Sequence, residues 1–368
     1  MLDRAMRGPA IAAFLVTVSP AHAEPWLERA DATGDWGGRR TWLDDHGVGI
    51  DLDYTAEGFA GVQGGDAAYR GNVDLVVTLD SHKLGLFPGG TLLVYGQHAH
   101  GGGVSDEIGA SLPISNLEAP ELTQLSELWL EQRLGEYVGV RAGKQDANRD
   151  FAGPRFVGNF VNSSFGVIPT VPMPTFPAPA VGGTLLVQPA AWLDVRAGVF
   201  EGAPEIESFG ETAFSGDGVL GIAALVAQHD VAGRPAGLHT VGAWHHTGTG
   251  EAGVFGVADL LLFAAPCDRD DPRSVQVFVR GGWTPDPVQL PELYAGGGVT
   301  AHGFLGVNNT IGLGGGWVRR PGGDEAFVEV FFKLRTIPWF TIEPDAQVYA
   351  VADRNAQVVV GVRTKLKL

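Results

Sequence analysis

The chain has 368 residues, of which 45% are hydrophobic and only 18% are charged, and its formal net charge is −17 at pH 7. So acidic a composition argues against nucleic-acid binding, which needs a basic surface. The single cysteine excludes an internal disulfide and a metal site built from cysteines, and no apolar run beyond the N-terminus is long enough for a transmembrane helix.

The N-terminus has the order of a secretory signal peptide. Arg4 and Arg7 precede an apolar segment at 11–18, and an Ala-His-Ala cleavage site follows at 21–23. We therefore expect residues 1–23 to direct export and to be removed.

The next segment, 24–48, is predicted to be a polar linker followed by a short helix. Asp35 can cap this helix, and Gly47 can end it. The remainder, 49–368, is rich in short alternating runs separated by Gly and Pro. It is predicted to be one all-β domain.

The clearest strands lie between residues 123 and 145. Polar or aromatic residues alternate with leucines up to Leu134, and the alternation resumes after a break at Gly135 and Glu136. A period of two gives each strand two different faces, and the short Gly-containing break predicts an antiparallel hairpin. Charges lie within these strands rather than at their ends. This pattern is typical of a transmembrane barrel, whose outer face is apolar and whose inner face contacts water.

Six motifs in the first half of the chain carry a family resemblance. They are, in order, GDWGGRR, NVDLVVTLDSHKLGLFPGGTLLVYGQ, SNLEAP, LSELWLEQRL, VGVRAGKQDANRDFA and FVNSSFG. Together they closely resemble the carbohydrate-selective porin family (OprB family). The resemblance implies a transmembrane antiparallel β-barrel of about 16 strands in the Gram-negative outer membrane. It also implies a short N-terminal helix at the periplasmic end and a channel through which sugars diffuse.

The stretch 147–190 is less regular than its surroundings. Its segment 167–183 contains five prolines, which cannot pair within a central strand. We predict a long loop that folds partly into the channel, with an exposed surface loop as the alternative. Nine strand candidates follow, at 216–228, 237–247, 252–263, 274–284, 295–305, 309–319, 325–336, 339–350 and 355–368. Trp283, Trp317 and Trp339 fall near strand ends, as interfacial aromatic residues do.

Charged residues within the strands indicate which side chains line the channel. An Arg or Lys facing lipid at the membrane midplane costs ~2–4 kcal/mol, so these groups are expected to face water. On this basis we predict thirteen pore-lining, sugar-contacting residues: Glu127, Trp129, Glu131, Arg133, Tyr137, Arg141, Asp194, Arg196, Phe278, Arg280, Glu329, Lys333 and Arg335. Trp129, Tyr137 and Phe278 are expected to offer aromatic faces to pyranose rings. No catalytic residue, cofactor or metal is predicted, since His98 and His100 lack a third ligand nearby.

The family resemblance implies passive, selective diffusion of small, glucose-like carbohydrates. The expected partners are small neutral sugars, outer-membrane lipid and lipopolysaccharide, and the outer-membrane assembly machinery. No nucleic acid is expected, and the protein is expected to be a monomer or a trimer. Three alternatives remain from the residues alone. They are a general or weakly cation-preferring porin, an outer-membrane barrel hydrolase with a Ser/His or Asp/His pair at its rim, and a soluble exported β-sandwich that binds sugars.

Overall fold

The structure is a computed structural model. It describes residues 25–64, 67–153, 158–208, 210, 216–231, 234–265, 272–352 and 354–368. The predicted signal peptide lies outside these residues. Within them, no helix has the length and apolar character needed to cross a membrane.

The described residues form sixteen strands in one closed antiparallel sheet, in which sequence neighbours pair and β1 pairs with β16. The strands are β1 Val48–Gly61, β2 Ala67–Asp80, β3 Gly90–Gly101, β4 Leu122–Leu134, β5 Val138–Gln145, β6 Ala180–Ala190, β7 Leu193–Glu201, β8 Val219–Val231, β9 Arg234–His246, β10 Ala252–Ala264, β11 Ser274–Trp283, β12 Leu293–His302, β13 Asn309–Arg319, β14 Glu325–Ile337, β15 Phe340–Val351 and β16 Gln357–Lys367. Closure leaves no unpaired strand edge, as a wall of strands in lipid requires. The predicted 16-stranded barrel is confirmed, and the soluble-sandwich alternative is wrong.

The helices in the described residues are short. They comprise a 3₁₀ turn at Trp26–Glu28 and four α-helices, α1 Arg39–Asp45, α2 Ser105–Ile108, α3 Asn148–Phe151 and α4 Ser163–Gly166. The first of these, α1, begins after Gly38, and Asp35 lies one turn earlier. Asp35 is therefore not the N-cap residue, although its carboxylate accepts from the Thr41 backbone N–H at 2.8 Å and stabilises the first turn.

The two ends of the barrel differ in the length of their connections. At one end lie α1, the C-terminus and short turns such as 135–137 and 191–192, whereas the other end carries the long loops 102–121 and 146–179. Barrels of this kind place short turns in the periplasm and long loops outside the cell. The Arg40 guanidinium joins the two chain ends, because it donates to the Leu368 carbonyl oxygen at 2.9 Å.

The strands alternate between an apolar outer face and a mixed inner face. On β14, Val328 and Val330 are 51% and 42% exposed on the outside, while Glu329 between them is fully buried inside. Trp283 lies exposed at the end of β11, as expected of an interfacial residue. The same expectation is wrong for Trp339. That residue is buried against Trp26, with ring centroids 4.5 Å apart and its indole N–H donating to the Trp26 carbonyl oxygen.

Inward-facing aromatic rings lie across glycines on adjacent strands. Phe331 is paired with Gly312, and a Cβ atom added to Gly312 would lie 2.2 Å from the Phe331 ring. Phe278 lies over Gly298 in the same way. Because glycine has no side chain, the ring can lie flat against the strand at that position. The ring in turn covers the glycine backbone, which would otherwise be exposed. The inner wall is therefore partly aromatic rather than uniformly charged.

Candidate functional site: the interior of the barrel

The long loop 146–179, which connects β5 to β6, folds into the barrel. Its Phe160 and Phe165 are buried and pack edge-on against Phe278 of β11, at centroid distances of 5.3 and 5.2 Å. Phe160 also packs against Phe331 of β14 at 4.8 Å. These contacts form an apolar core inside the barrel, and the core holds the loop against one part of the wall. The predicted inward-folding loop is therefore observed up to residue 179, whereas 180–190, also predicted to be irregular, form β6.

Polar groups on the wall fix the backbone of this inner loop. The Glu329 carboxylate accepts from the backbone N–H groups of Val161 and Asn162, at 2.7 and 3.0 Å. The Arg280 guanidinium donates to the Ala152 carbonyl oxygen on the same loop. Each of these wall groups is almost fully buried, so it serves the loop rather than the aqueous channel.

The second long loop, 102–121, is anchored beside the first. Glu325 accepts from the backbone N–H groups of Ser111 and Leu112, at 2.8 and 2.9 Å. The two loops also join directly, because the Asn116 N–H donates to the Val161 carbonyl oxygen at 2.8 Å. Together they narrow the space that a 16-stranded wall would otherwise leave open.

A charged cluster surrounds Trp129 on the inner face of β4. The Arg141 and Arg149 guanidiniums lie over its ring, 4.4 and 5.1 Å from the centroid. Arg141 also pairs with Glu131 at 2.6 Å and with Asp150 of the inner loop. The ring is only 6% exposed, so Trp129 is not free to stack on a sugar as predicted. Its guanidinium partners occupy its faces instead.

An open cavity of about 590 Å³ remains between the inner loop and strands β7 to β9. Asp194 and Arg196, two residues apart on the inner face of β7, form an ion pair of 2.8 Å on its wall. Arg149, Gln228 and Thr240 contribute further donors and acceptors to its wall. A smaller space of about 150 Å³ adjoins it, shares Asp194 and Arg196, and extends to Arg133 near the periplasmic end. This polar, water-accessible region is the candidate channel.

Comparison with known families decides what this barrel is. The model of the family described as "Carbohydrate-selective porin, OprB family" matches this sequence over residues 64–259 and 240–368. The chain belongs to the OprB family. It is thus an outer-membrane porin for carbohydrates, and both family and fold indicate a channel rather than an enzyme.

Solved structures agree with this OprB-family fold. The high-pH structure of Pseudomonas putida OprB has a TM-score of 0.83 at 19% identity, covering 94% of this chain and 100% of that one. The low-pH structure of the same protein has a TM-score of 0.67 at 20% identity, covering 93% and 99%. A triple mutant of Rhodopseudomonas blastica porin is more distant, with a TM-score of 0.52 at 10% identity, covering 87% and 100%. No curated protein matches the sequence significantly.

The OprB-family barrel separates the thirteen predicted pore-lining residues into groups. Asp194, Arg196 and Arg133 line the candidate channel, and Lys333 and Arg335 line another polar cavity. Glu127, Trp129, Glu131 and Arg141 form the charged cluster on the inner faces of β4 and β5.

Besides Trp129, four more of the thirteen predictions need correction. Phe278, Arg280 and Glu329 face inward but lie under the inner loop, so they have no free surface for a solute. Tyr137 belongs to the periplasmic turn before β5 and is 59% exposed there, because the strand begins only at Val138. None of the three predicted aromatic platforms is therefore available inside this porin.

Several lining residues were not predicted, among them Asp146, Arg149, Gln228 and Thr240. Gln228 and Thr240 lie on the inner faces of β8 and β9, but they carry no charge, and charge was the signal used for prediction. Arg149 lies in the irregular segment after β5, where no strand alternation indicates a direction.

The carboxylate of Asp146 should make the porin's ion preference depend on pH. Asp146 lies at the start of the inner loop and lines the candidate channel. Its pKa is raised from 3.8 to about 6, first by burial and then by nearby Glu127, although hydrogen bonds from Thr175 and the Asn148 N–H lower it. This carboxylate therefore takes up a proton as the pH falls from 7 to 5, and the channel loses a negative charge.

We expect the cation preference, measured as a reversal potential in a KCl gradient, to fall over that pH range. In Asp146→Asn this change should be absent. A midpoint near 4, as for an ordinary aspartate, would show that the pKa of Asp146 is not raised, and a change that persists in Asp146→Asn would show that another group titrates.

Proposed function

We propose that this porin passes small neutral, glucose-like sugars down their gradient and selects them at the wall formed by Arg149, Asp194, Arg196, Gln228 and Thr240. The observation that carries the proposal is the open polar cavity beside the inner loop. Asp194 and Arg196 neutralise each other, so the wall offers many hydrogen-bonding groups with little net charge. A neutral, hydroxyl-rich solute can exchange its water for such groups without paying to desolvate an ion.

Selection of this kind rests on weak contacts at several points. Asp194 also accepts from the Gln188 side chain at 3.1 Å, and Arg196 donates to the Asp150 carbonyl oxygen of the inner loop. These bonds hold the lining groups in place before a sugar arrives. Contacts must be strong enough for entry and weak enough for release, so no single tight site is expected.

We propose that residues 1–23 direct export, that 24–48 form the periplasmic segment with α1, and that 49–368 form the barrel. Lipid and lipopolysaccharide would contact outward residues such as Val328 and Val330. The assembly machinery would insert the barrel as a monomer or a trimer.

Sugar block in planar bilayers tests the proposed wall. In Arg196→Gln we expect the glucose concentration for half-block of the single-channel current to rise roughly two- to fivefold, as for the loss of one partly exposed charged contact. The double variant Asp194→Asn with Arg196→Gln keeps the net charge and should show a similar rise. Unchanged glucose block in both variants would place the selective wall elsewhere. Block of equal strength by sugars of every size would favour the general-porin alternative.

A further inference from the structure

A second polar cavity lies inside the barrel, on the wall formed by β11 to β15 and away from Asp194 and Arg196. It has a volume of about 290 Å³ and is open to solvent near the periplasmic ends of the strands. At ~30 Å³ per water molecule, this space corresponds to about ten waters, enough for one monosaccharide. Its basic side chains are Lys333 and Arg335 of β14 and His302 of β12.

The charge of this cavity differs from that of the candidate channel. The Lys333 ammonium donates to the Asn159 side-chain oxygen at 3.1 Å and lies 3.5 Å from the Glu343 carboxylate. Arg335 is exposed and, in the part of the chain that the structure describes, has neither an ion pair nor a side-chain hydrogen bond. The cavity therefore offers an unoccupied guanidinium in a protein whose net charge is −17.

Neutral hydrogen-bonding groups surround these cations. Thr300 and Thr310 are buried in the wall with their side chains facing the cavity, and His302 contacts the Thr310 hydroxyl at 2.9 Å. Hydroxyl and amide groups suit a polyhydroxylated solute, while a planar guanidinium suits a carboxylate through two parallel hydrogen bonds. A solute that carries both kinds of group would use the whole cavity.

We propose that this cavity is a binding site for monosaccharides bearing a carboxylate, that is, sugar acids. The Arg335 guanidinium binds the carboxylate, Lys333 adds a second positive charge, and the threonine hydroxyls and the Asn159 amide contact the sugar hydroxyls. In other pores, rings of Arg or Lys side chains attract anions and allow them to pass. The proposal rests on the proposed sugar passage and extends its substrates to anionic sugars, which bind at a separate wall.

Single-channel block by glucuronate and by glucose tests this site. Each is added on the periplasmic side, with sodium chloride at matched ionic strength as the salt control. In the unmodified protein we expect half-block by glucuronate at a concentration roughly two- to fivefold lower than for glucose, as for one partly exposed ion pair. Arg335→Gln should remove this difference and leave glucose block unchanged. Arg335→Glu should weaken glucuronate block below that of glucose.

Arg319→Gln is the matched control, because Arg319 is an exposed arginine at the extracellular end of β13, beside Trp317. It should preserve the difference between the two sugars. The proposal is overturned if glucuronate blocks no better than glucose, or if Arg335→Gln leaves its block unchanged. Failure of the neutral-sugar proposal has a different signature, namely absence of glucose block while glucuronate still blocks in an Arg335-dependent way.

Discussion

Glu329→Gln should enlarge the mean conductance of the channel and weaken its discrimination among sugars. The Glu329 carboxylate accepts from two backbone N–H groups of the inner loop, at Val161 and Asn162. A glutamine has a single acceptor oxygen, so one buried N–H loses its partner and faces an amide N–H₂ group instead. Leaving a buried donor unsatisfied costs about 1–3 kcal/mol, enough to raise the population of a displaced loop severalfold to more than a hundredfold.

Single-channel recording in planar bilayers measures this effect as higher and noisier current. Glu251→Gln provides a control with the same substitution in the extracellular loops, where a single oxygen of Glu251 accepts from both the Val288 and Gln289 N–H groups and a glutamine oxygen can replace it. It should change conductance little. Equal conductance in Glu329→Gln and the unmodified protein would show that Glu329 does not keep the loop in the channel.

Gly312→Ala should destabilise the barrel and disturb the packing of the inner loop. The added Cβ would lie 2.2 Å from the Phe331 ring, which packs against Phe160 of the loop at 4.8 Å. Phe331 must therefore move, and overpacking of this kind costs about 1–3 kcal/mol. Equilibrium unfolding by urea in detergent measures the loss in the free energy of unfolding.

The control for this substitution is Gly256→Ala on β10. A Cβ at Gly256 would meet no atom closer than 3.5 Å, an ordinary contact, so its stability should stay within about 0.5 kcal/mol of the unmodified protein. Equal stability of the two variants would show that the glycine does not make room for the ring.

The fold was predictable because lipid imposes a simple rule on each strand. Every second residue must be apolar where the wall faces hydrocarbon, so Val328 and Val330 indicated the outer face of β14 directly. The same rule gave the inward direction of Glu329. It could not show what each inward residue contacts, because the inner face meets loops as well as water.

The inner aromatic core shows the limit of this reasoning. Phe278 was predicted as a platform for sugars, since an aromatic group on the inner face suggests stacking. Its true partners, Phe160 and Phe165, come from a loop more than a hundred residues away in sequence and without alternation. The glycines that accommodate such rings, including Gly312, are a signal that could have indicated this core in advance.

Charge was also an incomplete guide to the channel wall. Asp194 and Arg196 were found because charged pairs within a strand must avoid lipid, whereas Gln228 and Thr240 line the same cavity without charge. Arg280, like Arg196, is a charged residue within a strand, but its guanidinium donates to the inner loop and does not line the channel. Only the path of that loop distinguishes an anchor from a pore-lining residue.

The inner loop reduces a wide barrel to a passage for small sugars. The most direct test is exclusion of graded neutral solutes, from glucose through trisaccharides to polyethylene glycols, from single channels of the unmodified protein. We expect glucose to enter and lower the conductance, and solutes of trisaccharide size or larger to be excluded. Entry of polymers much larger than a trisaccharide would contradict this, because it would mean that the lumen is as open as the sixteen strands alone would leave it.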